Sequence, residues 1–140
     1  MTFLPFGKSA SGKNVFRILL LACALTALSR PSVAASLLER YDANGNGVLD
    51  AEEAKDAAED SFDDIDKDDT DTLDREEIGF RLTDAEFAAA DLDHDGVLSE
   101  YEYIALVKNR FEKADKDHDG SLSQAELATR AGQAFLRVLQ

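Results

Sequence analysis

The chain has 140 residues, enough for one domain with a modest core, and a formal net charge of −14. That charge is unevenly placed, because no Asp or Glu precedes Glu39 while Lys8, Lys13, Arg17 and Arg30 lie ahead of it. Taking those four from the 15 Lys+Arg leaves 11 against 29 Asp+Glu, a net of −18 for the remainder. Phosphate would be repelled, which excludes nucleic acid and an anionic membrane surface as partners and favours cations or basic proteins.

The first element in chain order is a processing signal. Lys8, Lys13 and Arg17 precede an apolar run, Ile18 to Leu28, too short for the roughly 30 Å hydrocarbon core of a bilayer. Pro31 and the small residues Ser32-Val33-Ala34-Ala35 follow, as a secretory cleavage site requires. Residues 1–35 are therefore expected to be removed on export, with the cut after Ala34 or Ala35, leaving a periplasmic or secreted chain. Leu20-Leu21-Ala22-Cys23 also reads as a lipoprotein box that would anchor the chain at a lipidated Cys23. Only five residues separate Arg17 from Cys23, a poor apolar core for that cut, so the ordinary signal is preferred. Cys23 then leaves with the signal, and no disulfide is available to hold the mature domain, 36–140, together.

Four acidic segments follow, starting at Asp42, Asp66, Asp91 and Asp115, spaced 24, 25 and 24 residues apart. The first, 42–53, reads D-A-N-G-N-G-V-L-D-A-E-E, and the second, 66–77, reads D-K-D-D-T-D-T-L-D-R-E-E. The third, 91–102, is D-L-D-H-D-G-V-L-S-E-Y-E, and the fourth, 115–126, is D-K-D-H-D-G-S-L-S-Q-A-E. The first, third and fourth match D-x-[DN]-x-[DN]-G-x₅-E. The second departs twice, with Thr70 at position 5 and Asp71 at position 6, where its siblings have Gly. Leu49, Leu73, Leu98 and Leu122 occupy position 8 in all four. Leu38, Phe62, Phe87 and Phe111 stand four residues ahead of the segments, and Tyr41, Ile65, Ala90 and Ala114 one residue ahead. That spacing predicts a helix entering every segment. A merely solvated acidic chain has no reason to repeat it.

These segments resemble the calcium loops of the EF-hand superfamily, and the resemblance covers 36–140. It implies an all-α fold of helix–loop–helix repeats with calcium as the bound ion. Calcium takes six to eight oxygens at about 2.3–2.6 Å in flexible geometry. In such loops, side chains at positions 1, 3 and 5, the carbonyl of position 7, a water on position 9 and a bidentate Glu at position 12 supply them. The first site is then Asp42, Asn44, Asn46, Val48, Asp50 and Glu53. Another is Asp91, Asp93, Asp95, Val97, Ser99 and Glu102, and the last strong one is Asp115, Asp117, Asp119, Ser121, Ser123 and Glu126. Asp66, Asp68, Thr70, Thr72, Asp74 and Glu77 form a weak site, since Thr70 brings no charge and Asp71 must take a positive φ. The first site, with two asparagines, is expected to bind less tightly than the third and fourth. His94 and His118 at position 4 are read as solvated, because calcium takes oxygen ligands. Tyr101 and Tyr103 are read as packing residues.

About a dozen residues separate one segment from the next, roughly half the spacing in calmodulin-like pairs. Tyr103 to Ala114 reads as one continuous helix, and Thr83-Asp84-Ala85-Glu86 is a capping box that starts a new helix after a break near Leu82. A weaker break is expected at Asp60-Ser61. Five or six short helices result, and an arrangement that pairs loops 2 and 3 around the Thr83 break, with loops 1 and 4 at the far end, is one solution. The last helix carries Leu127, Ala131, Phe135 and Val138 on one face, with Arg130 and Arg137 toward its C-terminal half. Functionally the expectation is an exported calcium-binding buffer or calcium-stabilised module. A calcium-dependent sensor or a dockerin-like adhesion module, gripping a basic or amphipathic protein, is the alternative. The single Met is the initiator, which speaks against a Met-rich sensor groove. No catalytic constellation is present, so no enzyme is expected.

Overall fold

A computed structural model describes residues 38–140, so the cleavage and lipidation readings for 1–35 lie outside the described residues. Residues 38–41 are helical and are labelled α1. Then come β1 (Leu49–Asp50), α2 (Ala51–Ile65), β2 (Thr72–Leu73), α3 (Arg75–Ile78) and a 3₁₀ turn (Gly79–Arg81). They are followed by α4 (Asp84–Ala90), β3 (Leu98–Ser99), α5 (Glu100–Ala114), β4 (Ser121–Leu122), α6 (Gln124–Leu127) and α7 (Arg130–Val138). The fold is all-α, with each strand only two residues long and lying inside an acidic loop.

Position 9 of each loop starts the helix that leaves it. Asp50, Asp74, Ser99 and Ser123 are the N-caps of α2, α3, α5 and α6, each in a capping box with the Glu at position 12. Position 1 ends the helix that enters: the N–H groups of Asp42, Asp66, Asp91 and Asp115 donate to the carbonyls of Leu38, Phe62, Phe87 and Phe111. Of those anchors the three phenylalanines are buried and Leu38 is half-buried. The expected entering helices are all present.

Helix α2 runs unbroken from the end of loop 1 to the start of loop 2, and α5 does the same between loops 3 and 4. Fifteen residues at 1.5 Å each hold the loops at the two ends of either helix about 22 Å apart, too far to pair. Between loops 2 and 3 the chain instead turns back. Gly79 leaves α3 at φ +51, Leu82 is extended, and Thr83 caps α4. Loops 2 and 3 therefore meet, with Leu73 opposite Leu98 and Thr72 opposite Ser99. Loops 1 and 4 meet at the other end, Leu49 opposite Leu122 and Asp50 opposite Ser121. All four leucines are 0 % exposed. With the loops paired this way α2 and α5 run antiparallel, and the Phe62 and Tyr103 rings stand 5.8 Å apart between them.

Three expectations are corrected. Asp60-Ser61 does not break α2, because the buried Ser61 hydroxyl donates to the Leu139 carbonyl at 3.2 Å instead of competing for its own backbone. The last helix is two helices, split at Ala128-Thr129, so Arg130 begins α7 and only Arg137 lies in its last turn. The described chain thus has more helical segments than five or six. Tyr103 is buried, its hydroxyl donating to the Val138 carbonyl at 2.8 Å, whereas Tyr101 is 76 % exposed and packs against nothing extensive.

One ion network ties the helices. The carboxylate of Glu86 on α4 accepts from Arg110 of α5 at 2.9 Å and from Arg137 of α7 at 2.9 and 3.1 Å. The Thr83 N–H, opposed by burial but aided by the Thr83 hydroxyl and the two guanidinium groups, holds its carboxyl below the ordinary range. A lowered folded value means the stabilisation is present above the unfolded pKa and lost as pH falls through the folded one. Glu86→Gln is expected to lower stability by about 1–2 kcal/mol at pH 7 in chelator. Melts of the two proteins should converge as the pH drops below the glutamate range, and a constant gap would show that the charge is not what stabilises.

Candidate metal sites

Each loop is wrapped around its own carboxylates. The Oδ2 atom of the position 1 Asp accepts the N–H of position 6: Gly47 at 2.8 Å, Asp71 at 2.9 Å, Gly96 and Gly120 at 3.1 Å. In loops 1, 3 and 4 the side chain at position 3 accepts from the N–H of position 5, and position 5 accepts from position 7. The Glu at position 12 reaches back across the loop. Its Oε1 accepts the N–H of position 2 at 2.7–3.0 Å, from Ala43, Lys67, Leu92 and Lys116. Its Oε2 accepts the N–H of position 9 at 2.9–3.1 Å, from Asp50, Asp74, Ser99 and Ser123. One carboxylate thereby joins the beginning and end of every loop.

The structure gathers carboxylate oxygens in three loops. Asp66, Asp68 and Glu77, then Asp91, Asp93 and Glu102, then Asp115, Asp117 and Glu126, each offer one oxygen lying within 4.8 Å of the others. Ligands on a calcium shell of about 2.3–2.6 Å radius are at most about 4.6–5.2 Å apart, so each set fits one such ion. Loop 1 has asparagines at positions 3 and 5, and there the Asn44 amide Nδ2 donates to Glu53 Oε1 at 3.0 Å.

A second observation separates the loops. Asp91 and Asp115 are 7 % and 6 % exposed, and the Oδ1 of each is buried with no hydrogen-bond partner. A buried carboxylate oxygen without a donor is costly unless a cation meets it. In loops 1 and 2 both oxygens of the corresponding residue are engaged. Asp42 accepts from Asn46 and Gly47, and Asp66 accepts from Thr70 and Asp71. Burial works to raise the Glu102 pKa, but donors from Ser99, Leu92 and Asp93 overcome it and hold the group below its usual value. Ser123, through its N–H and then its hydroxyl, and Lys116 do the same for Glu126. Both glutamates are kept as anions, the form a hard cation needs.

Loop 2 shows what its two departures do. Asp71 takes φ +59 where the sibling loops place glycine, at about 1–2 kcal/mol for a residue bearing Cβ. Thr70 turns its hydroxyl toward Thr72, 3.4 Å from the carbonyl oxygen and 3.2 Å from the hydroxyl, instead of presenting a charge. The segment still folds as a loop and still collects three acids.

Two roles were missed in the sequence. Position 4 is also left-handed in every loop, at Gly45, Asp69, His94 and His118 with φ of +69, +54, +62 and +57. Asp and His are among the residues that enter this region most readily, so the recurrence of His there is backbone chemistry, and both rings are exposed. The second is the capping box formed by positions 9 and 12, readable as D/S-x-x-E in each loop by the same rule that located Thr83.

A family model described as EF hand matches residues 34–54, 83–108 and 106–129, which contain loops 1, 3 and 4. Together with the gathered acids, these matches support an EF-hand superfamily protein whose cofactor is Ca²⁺. Comparison with curated proteins gives no match. The matched stretches pass over loop 2, the segment whose fifth and sixth residues depart from the pattern.

Asp115→Asn removes the charge of an orphaned oxygen among three clustered acids. In chelator the variant is expected to melt no lower than the parent, and in calcium distinctly lower. A variant that loses stability equally in both conditions would show that Asp115 acts structurally and not through the ion.

Proposed function

We propose that the chain is an exported calcium-binding protein that acts as a buffer or calcium-stabilised module, with three working sites and one weak one. The carrying observation is the pair of orphaned oxygens on Asp91 and Asp115, each in a loop that gathers two further acids. Loops 3 and 4 are the tight sites through Asp91, Asp93, Asp95, Val97, Ser99 and Glu102, and Asp115, Asp117, Asp119, Ser121, Ser123 and Glu126. Loop 1 binds less tightly through Asp42, Asn44, Asn46, Val48, Asp50 and Glu53. Loop 2 chiefly completes the backbone bridge to loop 3, and is weakened about 10–1,000-fold by Thr70 and the strain at Asp71. Calorimetry on the exported domain, 36–140, is expected to count about three ions at moderate calcium. Thr70→Asp combined with Asp71→Gly is expected to add a fourth. Four equivalent ions in the parent would sink this assignment.

Calcium in this reading also supplies folding free energy. The domain carries −18 before binding, and three ions cancel six of those charges. Each site filled at a hundred times its Kd adds about 2.7 kcal/mol to the folded state. Thermal melts with calcium and with chelator are expected to differ by many degrees, and equal melting temperatures would refute the idea.

Export rests on the basic, apolar and small-residue order of 1–35. Intact mass from the exported fraction is expected to begin near Ala35 or Ser36, whereas a lipid-modified Cys23 would make the protein membrane-anchored. The sensor or adhesion reading has one observation in its favour. A groove of about 360 Å³ between α2 and α5, lined by Ala54, Ala58, Ile104, Val107 and Phe111, is largely apolar. Binding of a hydrophobic dye that rises steeply with calcium would favour that reading over the buffer.

A further inference from the structure

Loop 1 holds two adjacent Asn-Gly pairs, Asn44-Gly45 and Asn46-Gly47. Both lie outside helix and strand, and all four residues are exposed. No other side chain or backbone atom crowds the space beside either glycine. In such a pair the glycine nitrogen is free of steric cover and can attack the asparagine Cγ to close a succinimide.

The structure distinguishes the two pairs. Their electrophiles are alike: Asn44 Oδ1 accepts the Asn46 N–H at 3.0 Å, and Asn46 Oδ1 accepts the Val48 N–H at 2.9 Å. A donor on that oxygen stabilises the negative charge that develops there during attack, so both carboxamides are prepared. Their nucleophiles differ. The Gly47 N–H donates to Asp42 Oδ2 at 2.8 Å, a charge-assisted bond that must be given up before the nitrogen can attack. The Gly45 N–H has no acceptor among the described residues. The same lock holds Gly96 on Asp91 and Gly120 on Asp115, each at 3.1 Å, which guards Asp95-Gly96 and Asp119-Gly120. Asn109 lies inside α5 and precedes Arg110, not a glycine.

We propose that Asn44-Gly45 is a site of spontaneous deamidation that rewrites position 3 of loop 1. The Gly45 nitrogen bonds to Asn44 Cγ, the Cγ–Nδ2 bond breaks, and ammonia leaves with the proton from Gly45. Water then opens the imide, with no oxidant or cofactor. Breaking the new bond at Cγ leaves an ordinary aspartate at 44. Breaking the original peptide bond instead routes the chain through the side chain as isoaspartate, one methylene longer. Aspartate gives loop 1 acids at positions 1, 3 and 12, the set that loops 2, 3 and 4 gather. It also removes the Nδ2 donor from Glu53 Oε1 and leaves two carboxylates facing, which favours a cation between them. Isoaspartate displaces every later ligand and puts the loop out of register. Loop 1 thus parts with age into a tighter form and a disabled one. The modification does not depend on calcium binding. One consequence does rest on that reading: an ion held by Asn44 Oδ1 keeps the carboxamide from turning toward Gly45, so a filled loop ages more slowly.

The full chain is incubated in heavy-oxygen water with chelator, and its peptides are mapped by mass spectrometry over time. Heavy oxygen is expected at 44, in both aspartate and isoaspartate, at least about ten times faster than at 46, the factor that one hydrogen bond to a charged group supplies. A synthetic peptide of residues 40–50, which has no fixed loop, is expected to convert at both asparagines. Conversion at 46 as fast as at 44 in the folded chain, or a folded chain that keeps both asparagines while the peptide loses them, would overturn the proposal. Should chelator unfold the chain, Glu53→Gln in calcium decides, because it empties loop 1, leaves loops 3 and 4 loaded and retains a residue that can complete the capping box. The same preference for 44 is expected there, and equal rates at 44 and 46 would again overturn it. In the parent, calcium is expected to slow conversion at 44. Equal rates with calcium and with chelator would leave Asn44 as the site and count against an ion in loop 1.

Discussion

Each of the two long helices serves two loops, leaving one and entering the next, and the rest of the architecture follows from that sharing. A straight helix of about 22 Å cannot bring its own two loops together, so each loop must find its backbone partner on the other long helix. The reversal around Gly79 and Thr83 then places α5 antiparallel to α2, and both ends close at once. The leucine pairs Leu49–Leu122 and Leu73–Leu98 seal those ends. The aromatic anchors Phe62, Phe87 and Phe111 fill the space between them. The two loop pairs are thereby joined to each other through α2 and α5.

Within the loops the same few groups serve fold and chemistry together. The glutamate at position 12 completes a capping box and bridges the two ends of its loop, and in loops 2, 3 and 4 it belongs to the acid cluster that could hold an ion. Removing it would therefore damage helix, loop and site at one stroke. Position 1 distinguishes the loops more sharply than the count of acids does. At Asp42 and Asp66 both oxygens are satisfied by backbone donors of the loop. Where one oxygen is buried without a donor, as at Asp91 and Asp115, a cation would supply the partner that the backbone does not.

One charged cluster supplements the apolar core. The buried guanidinium of Arg110 and its partners Glu86, Arg137 and the Ala134 carbonyl form the main cross-link between α4, α5 and α7. Burial pulls the Arg110 pKa down, and the facing Glu86 carboxylate opposes that pull. Phe135, Leu136 and Val138 of α7 are buried in the interior beside that cross-link. An apolar groove lies between Ala54 and Ala58 of α2 and Ile104 and Val107 of α5.

The sequence by itself determined the local units. The phase of the acids, the leucine at position 8, the Phe one helical turn ahead and the Thr83 capping box all act within a dozen residues, and each appears in the structure where the pattern put it. The strain at Asp71 was legible for the same reason, since φ depends on a residue and its immediate neighbours. Tertiary structure decided the rest. Ser61 could not be read as helical without Leu139, 78 residues away, to receive its hydroxyl proton. The break at Thr129 depends on the fit of Gly132 against the Glu126 carbonyl, and the exposure of Tyr101 beside a buried Tyr103 depends on which face of α5 meets α2. Whether a position 1 carboxylate keeps a free oxygen also depends on burial by distant elements, because desolvation is a property of the packed whole and not of the loop.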